Sequence, residues 1–168
     1  EAVNLASVVR HALESCEPLI EKKAHQVSHK VPSAPLWVYG DPVRLLQIIV
    51  NLLNNAAKYT PPGGMIEIEA VREGDDVVCR VRDNGIGISS NNLPRVFDLF
   101  ARTDTETMVE GGLGIGLALV RKLVEMHGGS VEAHSVGVGR GCEFIVRFSA
   151  HSGVDNKEAA VEIMHGDH

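Results

Sequence analysis

Apolar positions along the chain change their period several times, and each change marks an element. The strongest helical pattern covers residues 41–60, DPVRLLQIIVNLLNNAAKYT. Leu45, Ile49, Leu52 and Ala56 recur at helical spacing, and Leu46, Val50, Leu53 and Ala57 widen the stripe into a core-facing surface. Asp41 is a good N-cap and Pro42 suits the first helical position, so the helix is predicted to start there. Upstream, residues 1–6 (EAVNLA) read as a short strand. An amphipathic helix should follow from Ser7, its cap, to about Ala24, with a kink at Pro18. Residues 26–31 (QVSHKV) alternate as a strand, and residues 36–39 form another after Pro32 and Pro35.

Downstream the period falls to two. Residues 65–71 (MIEIEAV) and 77–82 (VVCRVR) alternate on either side of a turn at 74–76, which predicts a hairpin. A third helix is predicted from the glycine-rich GLGIGL at 112–117, continuing through Val120, Leu123, Val124 and His127 to Gly128 and Gly129. Residues 130–135 and 142–148 alternate as a final hairpin around a loop at 137–141.

Composition bounds the class. With 168 residues, 44% hydrophobic and 23% charged, the chain suits one soluble domain with a real core. A net charge of −6 argues against nucleic acid as a partner. No apolar run approaches the roughly 18 residues of a membrane span, so no membrane contact is expected of this segment. Cys16, Cys79 and Cys142 are odd in number and far apart, which reads as reduced core thiols in a cytoplasmic protein. The eight histidines show no zinc spacing, and His11, in RHALES, reads as a surface residue.

Three stretches carry candidate chemistry. Gln47, Asn51, Asn55 and Lys58 line a second face of the central helix. Solvated faces favour Glu, Lys and Arg, whereas Asn at 51, 54 and 55 costs helix stability unless it binds something. DNGIGI at 83–88 leaves a strand end directly; it suits a simple turn, or a ligand loop in which Gly85 and Gly87 admit a close approach and Asp83 accepts a hydrogen bond. Glycines opening the third helix make an anion site from free N–H groups and the helix dipole. This stretch is neither a P-loop nor the dinucleotide fingerprint, since no GxxxxGK[ST] exists and Leu117 holds the sixth position.

Taken together, NLLNNAAKYT with its DPVRLLQ lead-in and PPGG sequel, DNGIGI, LPRVFDLF with Phe97 and Phe100, GLGIGL and GRGCEF resemble the boxes of the histidine-kinase catalytic domain. That domain lies within the superfamily of gyrase, Hsp90, histidine kinases and MutL. The resemblance covers residues 1–149 and leaves 150–168 as a mobile tail or linker. It implies an α/β two-layer sandwich of the Bergerat type, a mixed β-sheet packed on about three helices, with ATP and Mg²⁺ between the helices and a lid at 101–111.

The resemblance also implies roles. The Asn55 side-chain oxygen would ligate the metal, with Asn51 nearby; Lys58 and Arg102 would meet phosphates; Tyr59 would line the nucleotide site. Asp83 would select adenine, supported by Gly85, Gly87 and Ile88, while Gly112, Leu113, Gly114, Ile115, Gly116 and Leu117 would shape the triphosphate pocket. For Phe97 and Phe100, core packing and ligand contact both stay open. Cys142 stands where Thr is common in the family, and a thiol is the weaker donor. Hydrolysing branches carry a Glu four residues before the metal Asn; Asn51 stands there, so fast ATP hydrolysis is not expected. The implied acceptor is a histidine on a separate dimerisation domain, with a response regulator beyond it and a parent that is in some cases membrane-anchored. A docking module without transfer and an anti-sigma-type serine kinase are the alternatives.

Overall fold

The computed structural model describes residues 1–98 and 115–151. Strand β1 (Ala2–Asn4) leads directly into helix α1 (Leu5–Lys22). The helix therefore starts two residues before the expected cap. Asn4 caps it instead, its Oδ1 accepting from Ala6 N–H at 3.1 Å, while its Nδ2 donates to Ser7 Oγ at 3.1 Å. Leu5 and Ala6, expected in a strand, are fully buried on the helix. Pro18 lies inside α1 without ending it.

Strands β2 (Gln26–Lys30) and β3 (Trp37–Tyr39) follow, and β3 pairs antiparallel with β1 as a separate ribbon. Helix α2 (Pro42–Tyr59) starts as predicted, with Asp41 Oδ1 accepting from Val43 N–H at 2.9 Å. It buries Leu45, Ile48, Ile49, Leu52, Leu53, Ala56 and Ala57. Ile48 joins the predicted stripe, while Leu46 and Val50 are only partly buried at its margin.

The remaining strands are β4 (Met65–Glu73), β5 (Asp76–Asp83), β6 (Ser130–His134) and β7 (Cys142–Ser149). With β2 they form one sheet in the order β2-β4-β5-β7-β6. The β2–β4 pair is parallel and the others antiparallel, so the sheet is mixed as expected. Register explains its two faces. Ile68, Val81 and Phe144 align across three strands, as do Ala70, Cys79 and Val146, and all six are buried. The alternate positions carry charge: Arg80 bridges Glu69 at 3.3 Å and Glu73 at 2.8 Å, and Arg82 bridges Glu67 and Glu143.

Helices α1, α2 and α3 (Ile115–Met126) cover the apolar face, with α2 in the middle against both others. This is the expected two-layer sandwich. Among the described residues no helix is long and apolar enough to cross a membrane. The expected lid at 101–111 and most of the expected tail lie outside the described residues. The start of that tail belongs to the fold, however. Ala150 N–H donates to Asp75 O at 2.8 Å and His151 N–H to Trp37 O at 2.9 Å, so the chain stays tied to the sheet and ribbon beyond residue 149.

Candidate functional site

The C-terminal half of α2 presents Asn51, Asn55 and Lys58 on one face, and all three side chains are half-buried. Among the described residues, neither the Asn51 nor the Asn55 carboxamide has a hydrogen-bond partner, so both oxygens remain available to a ligand. Asn54 behaves differently. It turns toward α1, where its Oδ1 accepts from the Cys16 thiol at 3.4 Å. One of the three asparagines is thus explained by contact with the neighbouring helix. Lys58 Nζ sits 5.6 Å from the centroid of the Tyr59 ring, a cation–π distance that holds the two side chains together.

Strand β5 delivers Asp83 to the same end of α2. Its Oδ1 accepts from Gly85 N–H at 2.8 Å, closing a tight turn. Burial pushes the Asp83 carboxyl up to about 6; the Gly85 N–H and the nearby His25 act in the opposite direction. Across the sheet Asp83 is in register with Cys142, so the thiol does occupy a position beside the carboxylate strand. Asn84 serves the turn: its Oδ1 accepts from Met65 N–H at 2.8 Å.

The loop and the helix are joined directly. Ile86 N–H donates to Tyr59 O at 3.1 Å. Gly85 is required by this approach, because a Cβ there would lie 2.3 Å from Tyr59 O and 2.8 Å from Asp83 Oδ1. At Gly87, with φ of +72°, an added Cβ would meet Gly137 O at 2.2 Å. The close approach at both glycines is therefore to the protein's own backbone, contributed by α2 and by the β6–β7 loop. That loop is pinned by Gly139 N–H to Ile86 O at 2.6 Å and by Ser135 Oγ, which accepts from Ile88 N–H at 3.0 Å. Ile88 itself is a buried core residue.

Of the glycine run, Gly116 lies exposed in the first turn of α3 with no atom of the described residues within 4 Å of an added Cβ, and Leu117 packs partly buried on the core. Ile115 opens the helix. Phe100, Arg102, Gly112, Leu113 and Gly114 lie outside the described residues. Phe97 meets Phe144 edge-on at 5.9 Å, which accounts for it as packing. His11 is exposed on α1, as expected.

Three residues escaped the sequence reading. Lys23 Nζ donates to Ala57 O at 2.8 Å and Lys58 O at 3.1 Å, a cation capping the negative end of α2. His25 Nε2 lies 2.8 Å from Thr60 O. Thr60 itself is wholly buried. No motif signals these contacts, since they join the turn after α1 to the end of α2. The assembled junction offers carboxamide oxygens, an ammonium group and a carboxylate acceptor around one helix end. Among the described residues no cluster of three or more His, Cys, Asp or Glu could hold a metal ion.

A family model described as "Histidine kinase-, DNA gyrase B-, and HSP90-like ATPase" matches residues 40–152. The chain is 45% identical over 108 residues to the circadian input-output histidine kinase CikA of Synechococcus elongatus, covering 64% of this chain and 14% of that protein. It is 34% identical over 161 residues to the sensor histidine kinase RcsC of Escherichia coli, covering 95% of this chain and 17% of that protein. The chain thus spans under a fifth of the length of these relatives. Among solved structures, the catalytic domain of histidine kinase ThkA superposes with a TM-score of 0.77 at 25% identity, covering 89% of this chain and 96% of that one. Full-length ShkA in complex with AMPPNP superposes with a TM-score of 0.76 at 28% identity, over 90% of this chain and 31% of that one.

Proposed function

This chain belongs to the histidine kinase-, DNA gyrase B- and HSP90-like ATPase family, and from that premise we propose that it binds Mg²⁺–ATP and donates the γ-phosphoryl group to a histidine on a separate dimerisation domain, in two-component signalling. The observation that carries the reading is the Ile86–Tyr59 hydrogen bond, which fastens the Asp83 loop to the end of the carboxamide helix. When bound, ATP would supply the phosphoryl group, and Mg²⁺ would neutralise charge on the phosphate oxygens.

Each residue then has a task set by its chemistry. Asp83 accepts from the exocyclic amine of adenine. Tyr59 lines the base site. Asn55 offers its oxygen to a hard cation, with Asn51 one turn away. Lys58 holds a phosphate as a point charge. Asn51 has no proton-accepting carboxylate to activate water, which favours a nucleophile that arrives with the acceptor domain over hydrolysis.

The test is to mix the chain with γ-labelled ATP, Mg²⁺ and a helical phosphoacceptor domain of a sensor histidine kinase. Acid-labile label on that domain is the expected result, because phosphohistidine hydrolyses in acid. Free labelled phosphate with no labelled domain, or acid-stable label, would overturn it in favour of hydrolysis or of serine phosphorylation.

A further inference from the structure

Thr60 closes α2 between two glycines, and its side chain is fully buried. An added Cβ at Gly64 would lie 2.3 Å from the Thr60 methyl carbon, Cγ2. An added Cβ at Gly85 would lie 3.0 Å from the hydroxyl, Oγ1, and 2.8 Å from Asp83 Oδ1. Absent side chains at 64 and 85 therefore make room for the methyl on one side and the hydroxyl on the other, and Asp83 Oδ1 borders the same space beside Gly85 as the hydroxyl does. The Thr60 backbone is held as well. Two carbonyls, Thr60 O at 2.8 Å and Pro61 O at 3.2 Å, face His25 Nε2, so that nitrogen carries the proton and donates. Lys23 grips the preceding carbonyls of α2.

This fixed hydroxyl has no hydrogen-bond partner among the described residues. Buried polar groups are almost always paired, and an unpaired one beside a ligand-facing carboxylate needs a reason. The Watson–Crick edge of adenine offers an amine donor at N6 next to a ring acceptor at N1. Asp83 supplies an acceptor and Thr60 a donor, the complementary pair of groups. We infer that Thr60 is a second base-reading residue, donating from Oγ1 to adenine N1, directly or through one water, while Asp83 takes the N6 amine. The inference rests on the Mg²⁺–ATP reading above and adds a specificity-determining group to it.

The experiment compares ATP with 1-deaza-ATP, which lacks the N1 acceptor, by calorimetric titration of the chain in Mg²⁺. Wild type should bind 1-deaza-ATP about tenfold more weakly. Thr60→Val should weaken ATP by about the same factor and bind both nucleotides alike, while Thr60→Ser should bind ATP within about threefold of wild type. Equal binding of the two nucleotides by wild type overturns the inference, and that comparison needs no variant to fold. So does undiminished ATP binding by Thr60→Val. Failure of wild type to bind either nucleotide is a different outcome: it overturns the Mg²⁺–ATP reading itself.

Discussion

Ile86 N–H donates to Tyr59 O at 3.1 Å, so the loop after β5 and the last turn of α2 share a backbone hydrogen bond. Residues far apart in the chain are thereby joined directly. A perturbation of the loop reaches Lys58, Tyr59 and Thr60, and a perturbation of the helix end reaches Asp83.

Asp83→Asn removes the charged acceptor and nearly preserves its shape. A hydrogen bond to a charged group contributes about 1.5–3 kcal/mol, so ATP affinity should fall by roughly 10- to 150-fold. Titration calorimetry measures this. Unchanged affinity would remove Asp83 from adenine recognition.

Acidification should weaken nucleotide binding through the same group. The folded-state value for Asp83 is raised from 3.8 to about 6 by burial. Between these values the folded chain binds the proton more tightly than the unfolded chain, so the Asp83 contribution to stability grows as pH falls through 6 toward 4 and is lost as pH rises again. The charged acceptor needs the opposite condition. ATP affinity should therefore decline below about pH 6 in wild type and follow a flatter profile in Asp83→Asn. Affinities measured from pH 5 to 8 on the two proteins decide it; parallel profiles would rule Asp83 out as the source.

Gly85→Ala and Gly116→Ala should separate packing from ligand approach. At 85 the new Cβ would come within 2.3 Å of the Tyr59 backbone, so melting temperature and binding should fall together. At 116 no atom of the described residues lies within 4 Å, and alanine in an exposed helical turn gains up to about 1 kcal/mol of helix propensity. That variant should melt no lower than wild type. If it binds ATP less well, the loss belongs to the phosphates and not to the fold.

Asn55→Ala should abolish the enhancement of nucleotide binding by Mg²⁺ while leaving metal-free binding within about threefold, because the carboxamide has no described partner within the protein. Paired titrations with and without the metal report it. A persistent metal effect would move the ligand role elsewhere, with Asn51 the first candidate.

Much of this architecture was legible because periodicity reports burial. The core stripe of α2, both long hairpins and the third helix came from spacing alone, and Asp41 with Pro42 marked where α2 begins. The start of α1 was not legible, since Asn4 and Ser7 are both good caps and only packing against Leu36 chooses: Leu36 N–H also donates to Asn4 Oδ1, at 2.9 Å. The glycines of the loop were read as admitting the close approach of a ligand, and their contacts within the protein were not foreseen. The atoms that forbid a side chain at Gly85 and Gly87 belong to Tyr59 and Gly137, which only the fold brings near. Thr60 was invisible for the same reason, its surroundings being set by Gly64, Gly85 and His25.

The central claim is that the end of α2 and the Asp83 loop form a Mg²⁺–ATP site. Calorimetric titration with a non-hydrolysable ATP analogue, with and without Mg²⁺, tests it most directly. The account predicts saturable one-site binding, micromolar to sub-millimolar, strengthened by the metal. Absence of binding in both titrations would contradict it.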